Sequence, residues 1–281
     1  MKAFPPVVKW FGSKRLVAAE LATCFPQCDT YYEPFLGGGA LMPFARCVSG
    51  RANDIIPELV NLWTCIKESP RMVADEYNRR WLDLQVRGQE VYYEVRDRFN
   101  TTRDCMDFLF LTRTCVNGMI RYNDNGDFNN SFHLSRPGIN PNTLEKIIFE
   151  WSAAIQKFCF SNVDYRECLD NVTVDDFVFL DPPYGGTKDR YTKTDFDIHE
   201  LFAELDRLNT KGVKWMLTFD GNAGDRVYNY APPQELYAHK FSVKTGLSSF
   251  KKIMDGEQNT ITESVYLNFK PRDGQISLGF L

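Results

Sequence analysis

The chain has no apolar run of membrane-spanning length, no C-x-x-C pair, no phosphate loop G-x-x-x-x-G-K-[ST] and no complete G-x-G-x-x-G fingerprint. The first absence excludes a helical membrane span. Eight cysteines stand singly, with only His133, His199 and His239 as possible co-ligands. That pattern leads to neither a zinc site nor a disulfide framework, so reduced thiols in a cytoplasmic protein are expected. The missing glycine signatures argue against phosphate-loop and dinucleotide chemistry. Residues 1–6 show no apolar core or cleavage site, so a secretory leader is not expected. Net charge is small as well, −4 over 281 residues. A nucleic-acid surface, if present, must therefore be a local basic cleft.

What is there centres on Phe177-Val178-Phe179-Leu180, a continuous apolar run that stops at Asp181-Pro182-Pro183-Tyr184. The run reads as a strand buried on both faces, and two prolines in succession keep the following backbone stiff and extended. A carboxylate, a backbone carbonyl and an aromatic ring thus meet at the C-terminal end of a strand, where open α/β sheets bind ligands. The trio suits a planar amino group: Asp181 and the Pro182 carbonyl each accept one N–H, and Tyr184 stacks on the ring. For the tetrapeptide alone, an ordinary Pro-Pro turn is the competing reading.

Earlier in the chain, Lys9-Trp10-Phe11-Gly12-Ser13-Lys14 precedes a short helical segment from Leu16 to Leu21. Thr30–Glu33 is β-prone and breaks into Pro34-Phe35-Leu36-Gly37-Gly38-Gly39, with a helix predicted over about Ala40–Cys47. Strand, glycine turn, helix is an arrangement in which a ligand approaches bare backbone, although a packing turn without ligand fits equally well. Ala52–Ile56 reads as a second strand carrying Asp54, at a spacing that suits ribose hydroxyls, or a helix cap. From about Ser69 to Trp151 the βα rhythm gives way to helical periodicity over Met72–Gln85, Glu90–Phe99 and Asp104–Cys115. A hairpin turning at Asn125-Gly126 and a helix over Thr143–Gln156 follow. Phe158–Phe160 resumes the strand pattern. A polar loop over Gly185–Thr194, a helix over His199–Leu208, strands at Lys214–Phe219, Phe241–Val243 and Glu263–Phe269, and a basic loop at Gly246–Lys252 complete the chain.

In this order the motifs resemble those of Dam-type DNA adenine-N6 methyltransferases. They are the Lys9–Lys14 stretch, Glu33–Gly39, the block Arg113-Thr114-Cys115-Val116-Asn117-Gly118-Met119-Ile120-Arg121-Tyr122-Asn123 continuing to Gly126–Asn129, and Asp181–Tyr184. The resemblance covers nearly the whole chain. It implies an α/β fold with a Rossmann-like, mostly parallel methyltransferase sheet. The catalytic domain would be residues 1–66 and 157–281, interrupted by a helical and hairpin DNA-recognition insertion at 67–156. It implies S-adenosyl-L-methionine as methyl donor, duplex DNA as partner, no metal and no membrane, and a monomer in the cytoplasm of a bacterium or a phage host.

By the same resemblance the catalytic residues are Asp181, Pro182 and Tyr184. The donor would be held by Trp10, Lys14, Glu33, Phe35, Gly37, Gly39, Asp54, Asp164, Tyr165 and Asp181. DNA would be met by Lys9, Arg113, Asn117, Arg121, Asn123, Ser131 and Arg136. The assignment agrees with the chemistry of Arg and Lys toward guanine and of Asn toward adenine. The chain departs from the family pattern at Val116, where an aromatic residue is common, at Ser131, where proline often stands, and in the register of Arg136. The expected target is therefore GATC or a longer GAT-containing site. The nearest rival is an amino-group methyltransferase acting on cytosine N4, RNA or a glutamine side chain. A nucleotide-binding oxidoreductase lacks support from the glycine spacing, and a silent DNA-binding module is hard to reconcile with an intact Asp-Pro-Pro-Tyr.

Overall fold

All four residues of Phe177–Leu180 are buried, and the alternation of a strand sends them to two different cores. Phe177 and Phe179 join one apolar cluster, Val178 and Leu180 the other. A strand sandwiched in this way needs apolar side chains at every position, which is why the run is continuous rather than alternating. The computed structural model describes residues 3–135, 138–183, 196–223, 226–228, 231–247 and 260–271.

Within these residues the sheet is built from β1 (Cys28–Glu33), β2 (Cys47–Asn53), β3 (Phe158–Ser161), β4 (Phe177–Leu180), β5 (Lys214–Ala223), β6 (Arg226–Tyr228), β7 (His239–Leu247) and β8 (Thr260–Leu267). Their order is β3-β2-β1-β4-β5-β8-β7, with β6 paired to the end of β5. The first five strands run parallel. β8 is inserted antiparallel between β5 and β7. From β1 the chain winds outward to β2 and β3, then returns to lay β4 on the other side of β1. The sheet therefore reverses between β1 and β4, and the crevice at that reversal is where a doubly wound sheet binds ligands. The Glu33–Gly39 stretch and Asp181 both leave the sheet there.

The helices are α1 (Ala18–Leu21), α2 (Pro57–Glu68), α3 (Pro70–Arg87), α4 (Gln89–Thr102), α5 (Cys105–Thr114), α6 (Pro141–Ala154), α7 (Tyr165–Cys168) and α8 (Ile198–Thr210). Proline occupies the first turn of α2, α3 and α6, where its missing N–H costs nothing. Side chains of Asp104, Asn140, Asp164 and Asp197 cap α5, α6, α7 and α8. Helices α2 to α6 share the larger core with one face of the sheet, and Trp63 of α2 meets Trp151 of α6 edge-on, with ring centroids 4.9 Å apart. Leu201, Leu205 and Leu208 of α8 cover the opposite face.

Three expectations need correction. The helix read over Ala40–Cys47 is a single tight turn, Met42–Phe44. Its apolar residues are buried because the crossover runs directly over the core and must be extended again by Cys47, where β2 begins. The second strand accordingly starts earlier than expected and ends at Asn53, leaving Asp54 just beyond it. The hairpin around Asn125-Gly126 has its turn, with the Gly126 N–H donating to the Asn123 carbonyl at 2.9 Å. Its arms are joined only by isolated pairings, Tyr122 with Phe128 and Cys115 with Phe132. Side chains hold it instead. Asn100 both donates to and accepts from the backbone of Phe128. Arg103 donates to the Gly126 carbonyl and lies over the rings of Phe99 and Tyr122.

Candidate active site

The glycine turn after β1 is fixed from both sides. Gly37 has φ +48° and Gly39 φ +62°, conformations in which a side chain is strained. A β-carbon at Gly37 would stand 2.6 Å from Trp10 Nε1, and one at Gly39 2.5 Å from Met42 Cε. Beneath the turn, Asp54 Oδ2 accepts the Gly37 N–H at 2.9 Å and its Oδ1 accepts the Ile56 N–H at 3.1 Å. Trp63 donates its indole N–H to the Gly37 carbonyl at 3.2 Å. The structure thus brings together Trp10, Gly37, Gly39 and Asp54. Glu33, at the end of β1, is 3% exposed and accepts the Tyr31 hydroxyl at 3.0 Å. Burial pushes its carboxyl up to about 8, helped by the negative charges of Asp181 and Asp54 and opposed by the Tyr31 hydrogen bond.

At the end of β4, Asp181 Oδ1 accepts the Thr218 hydroxyl from β5 at 2.8 Å and lies 2.7 Å from Lys14 Nζ. Lys14 also reaches Glu263 Oε1 of β8 at 3.1 Å and donates to the Gly12 carbonyl at 3.1 Å. Among the described residues, Asp181 Oδ2 takes no hydrogen bond. Burial alone would lower the Lys14 pKa, but the charges of Asp181 and Glu263 outweigh it and hold the ammonium above its ordinary value. Glu263 is pushed up to about 7 by burial and by Asp181, with Lys14 acting against both. Lys14, expected among the residues that hold the methyl donor, has its ammonium engaged by two carboxylates. Thr218 and Glu263 escaped sequence reasoning, since neither lies in a motif and only the pairing of β8 with β5 brings Glu263 in.

A third wall is aromatic. Phe35 and Tyr165 lie 5.1 Å apart, and Phe196 meets Phe35 at 5.8 Å and Tyr165 at 5.9 Å. The Tyr165 hydroxyl is buried and has no hydrogen-bond partner among the described residues. Phe196 was not foreseen, because it lies beyond a polar loop with no apolar pattern to mark it. Asp164 caps α7 through the Arg166 N–H at 2.9 Å and is bound by the Arg166 guanidinium at 2.8 Å. That guanidinium, first of all, holds the carboxyl below its usual range.

The residues expected at DNA divide. Lys9 crosses Gly118 so closely that a β-carbon there would lie 2.4 Å from Lys9 Cδ, while Gly118 has φ +63° and Asn117 φ +57°. Lys9 and Asn117 are therefore neighbours on one surface. Asn130, unforeseen, clips this loop by donating to the carbonyls of Val116 and Met119 and accepting the Ser131 N–H. Ser131 itself is exposed. Arg121 is exposed, its guanidinium steered by the side-chain and backbone oxygens of Asn129 at 2.7 and 3.0 Å. Asn123 spends its side-chain oxygen on the N–H groups of Asn125 and Asp127, shaping the turn.

Arg113 is the clear correction. It is buried, donating to the Val7 carbonyl at 2.6 Å and to the Pro6 carbonyl, and burial lowers its pKa to about 10. A guanidinium spent on backbone inside the protein is not available to DNA. Tyr184, Arg136, the Gly185–Thr194 loop and most of the Gly246–Lys252 loop lie outside the described residues. Among the described residues, no cluster of three or more potential metal ligands occurs, and no helix is long and apolar enough to cross a membrane.

Residues 10–256 match the family described as D12 class N6 adenine-specific DNA methyltransferase. The chain is 30% identical over 216 residues to the retron Ec67 DNA adenine methylase of Escherichia coli, covering 73% of this chain and 74% of that one. It is 28% identical over 189 residues to a DNA adenine methylase of Vibrio cholerae, covering 66% and 67%. A type II methyltransferase of Methanocaldococcus jannaschii is 28% identical over 246 residues, covering 76% and 83%. With nearly the whole site and sheet inside the matched span, the chain belongs to the D12 class of N6 adenine-specific DNA methyltransferases.

Proposed function

We propose that this chain transfers the methyl group of S-adenosyl-L-methionine to N6 of an adenine turned out of duplex DNA, within GATC or a longer GAT-containing site. The observation that carries the reading is the carboxylate of Asp181. One of its oxygens is fixed by Lys14 and Thr218, and the other takes no hydrogen bond among the described residues.

The residues present fit the donor. The ring pair Phe35 and Tyr165 and the buried Tyr165 hydroxyl without a partner offer stacking and a hydrogen bond. Trp10, Phe35, Gly37, Gly39, Asp54, Asp164 and Tyr165 would hold it, with Phe196 completing the aromatic wall. Bound there, it supplies an activated methyl on a positively charged sulfur.

The protein's own part is positioning and charge. N6 of adenine is a poor nucleophile because its lone pair is delocalised into the ring. Asp181 and the Pro182 carbonyl each accept one N–H, which lets the nitrogen pyramidalise and aims its lone pair. As transfer proceeds the nitrogen becomes positive, so the carboxylate beside it gains interaction in the transition state. The cationic product nitrogen is acidic enough to shed its proton without a strong base. Turning the adenine out costs a few kcal/mol, and stacking on Tyr184 would offset about 1–3 kcal/mol. Recognition falls to residues 67–156, with Lys9, Asn117, Arg121 and Ser131 meeting the duplex. The enzyme acts as a monomer in the cytoplasm.

The test is chemical. The protein is incubated with isotopically labelled donor and duplex DNA of random sequence, the DNA is digested to nucleosides, and modified positions are mapped by single-molecule sequencing. Label in N6-methyladenine within a GAT context is the expected result; label in N4-methylcytosine would overturn it.

A further inference from the structure

Cys28 begins β1, Cys47 begins β2, and the two are register partners in that parallel pair. Neighbouring strands run about 4.8 Å apart, inside the roughly 4.4–6.8 Å separation of α-carbons that a disulfide spans. The Cys28 thiol donates to the Arg46 carbonyl at 3.9 Å, and both cysteines are half-buried. They line a cavity of about 670 Å³ together with Gln27, Asp29, Arg46, Lys157 and Asp175. This cavity is at the N-terminal edge of the parallel strands, the opposite edge from Asp181. Lys157 Nζ is held over it by the carbonyls of Ala45 and Cys47, at 2.8 and 3.2 Å.

We propose that Cys28 and Cys47 form a redox-active dithiol, separate from the methyl-transfer site, in which Cys47 reacts with a peroxide and Cys28 resolves the product to a disulfide. The Cys47 thiolate attacks one oxygen of hydrogen peroxide; the O–O bond breaks, hydroxide leaves, and Cys47 carries a sulfenic acid. The Cys28 sulfur then attacks the Cys47 sulfur. The S–S bond forms, the S–O bond breaks, and the departing hydroxyl leaves as water with the Cys28 proton. Two thiols lose two electrons and one peroxide becomes two waters.

The surroundings divide the roles between the two sulfurs. The neighbouring Cys28 thiol and the Lys157 ammonium bring Cys47 down to about 6, against the effect of burial. Cys28 is held well above the ordinary thiol range by the adjacent Cys47, by burial and by the negative charge of Asp176. Asp29 and Asp175 add negative charge at the rim, and Arg46 adds positive. A half-exposed thiolate beside a fixed cation is the environment in which cysteines react. In a second pair of neighbouring thiols, Cys65 and Cys105, burial raises both, Cys105 to about 12. It serves as an internal control.

The experiment treats the whole, reduced protein with a small excess of hydrogen peroxide at pH 7, digests it without reductant and identifies the peptides by mass. The expected product joins the peptide of Cys28 to that of Cys47, with two hydrogen atoms lost from the intact mass. Cys28→Ser should leave a sulfenic acid on Cys47 that dimedone traps. Cys47→Ser should leave no such adduct on Cys28 while methylating DNA at the wild-type rate, which shows that it folds. Iodoacetamide should reach Cys47 roughly tenfold faster than Cys65 or Cys105. Peroxide that leaves Cys28 and Cys47 as thiols, or a first crosslink between Cys65 and Cys105, would overturn the proposal.

Discussion

Lys14 Nζ stands 2.7 Å from Asp181 Oδ1, so the cation of the N-terminal motif holds the carboxylate at the end of β4. Glu263 on β8 holds the same ammonium from the other side at 3.1 Å. Lys14 is buried, and a buried cation with two carboxylates is a fixed electrostatic element rather than a mobile surface charge. It holds the Asp181 side chain in place before the target base arrives.

Removing that cation should therefore slow chemistry more than it weakens donor binding. A charge-assisted hydrogen bond contributes about 1.5–3 kcal/mol, which corresponds to roughly 10–150-fold in rate. Lys14→Met is expected to lose methyl-transfer rate within that range in single-turnover experiments, with the donor dissociation constant changing little. Lys14→Arg should recover part of the loss. A variant with unaltered rate but sharply weaker donor binding would return Lys14 to the role expected from the motif.

Glu33 makes stability depend on pH. Its folded pKa of about 8 lies above its ordinary value of 4.5, so the folded state binds a proton that the unfolded state gives up. The stabilisation is complete below pH 4.5 and is lost as pH rises through about 8. The slope between the two is at most about 1.4 kcal/mol per pH unit. Urea unfolding should show the wild type losing stability from pH 5 to 8, approximately, while Glu33→Gln stays flat apart from other groups. Parallel curves for the two proteins would contradict the burial argument.

Arg113 is expected to matter for folding and not for reading DNA. Arg113→Ala leaves the Pro6 and Val7 carbonyls without their donors, at about 1–3 kcal/mol. Thermal unfolding should move down, and at a temperature where the variant is folded its preference among DNA sites should match the wild type. Changed preference with unchanged unfolding temperature is the opposing outcome.

Arg121 should behave in the reverse way. Its exposed guanidinium, steered by Asn129, is expected to contribute about 1–3 kcal/mol of site discrimination. Competition between cognate and single-mismatch duplexes measures this for Arg121→Ala. Uniform weakening on all duplexes, with a shallower salt dependence, would make it a phosphate contact.

The parts of this fold legible in the sequence are those encoded locally. Phe177–Leu180 announces a buried strand because four apolar residues stop at two prolines, and Gly37–Gly39 announces a close approach because side chains are absent. Helices α3 to α6 are legible through their periodicity. Most of what escaped depends on contacts distant in sequence. Thr218 reaches Asp181 because β5 lies parallel beside β4, and Glu263 reaches Lys14 only because β8 lies reversed beside β5, which no local pattern records. Arg113 sits in a block rich in DNA-reading residue types, and its burial under Pro6 and Val7 requires the N-terminal segment to be laid across α5. Asn123 carries the chemistry of a base reader, yet the neighbouring Asn-Gly turn claims its side-chain oxygen. The helix expected over Ala40–Cys47 failed because apolar residues there follow the core surface rather than a helical face.

The most direct measurement compares Asp181→Asn with the wild type in single-turnover methylation of one adenine-containing duplex, alongside calorimetric binding of the donor. The substitution keeps the size of the side chain and removes the charge that faces the nitrogen. Methyl transfer lost by several orders of magnitude, with donor affinity within a few-fold of the wild type, is the expected result. Near-normal turnover in that variant would show that the carboxylate at the end of β4 does not carry the reaction.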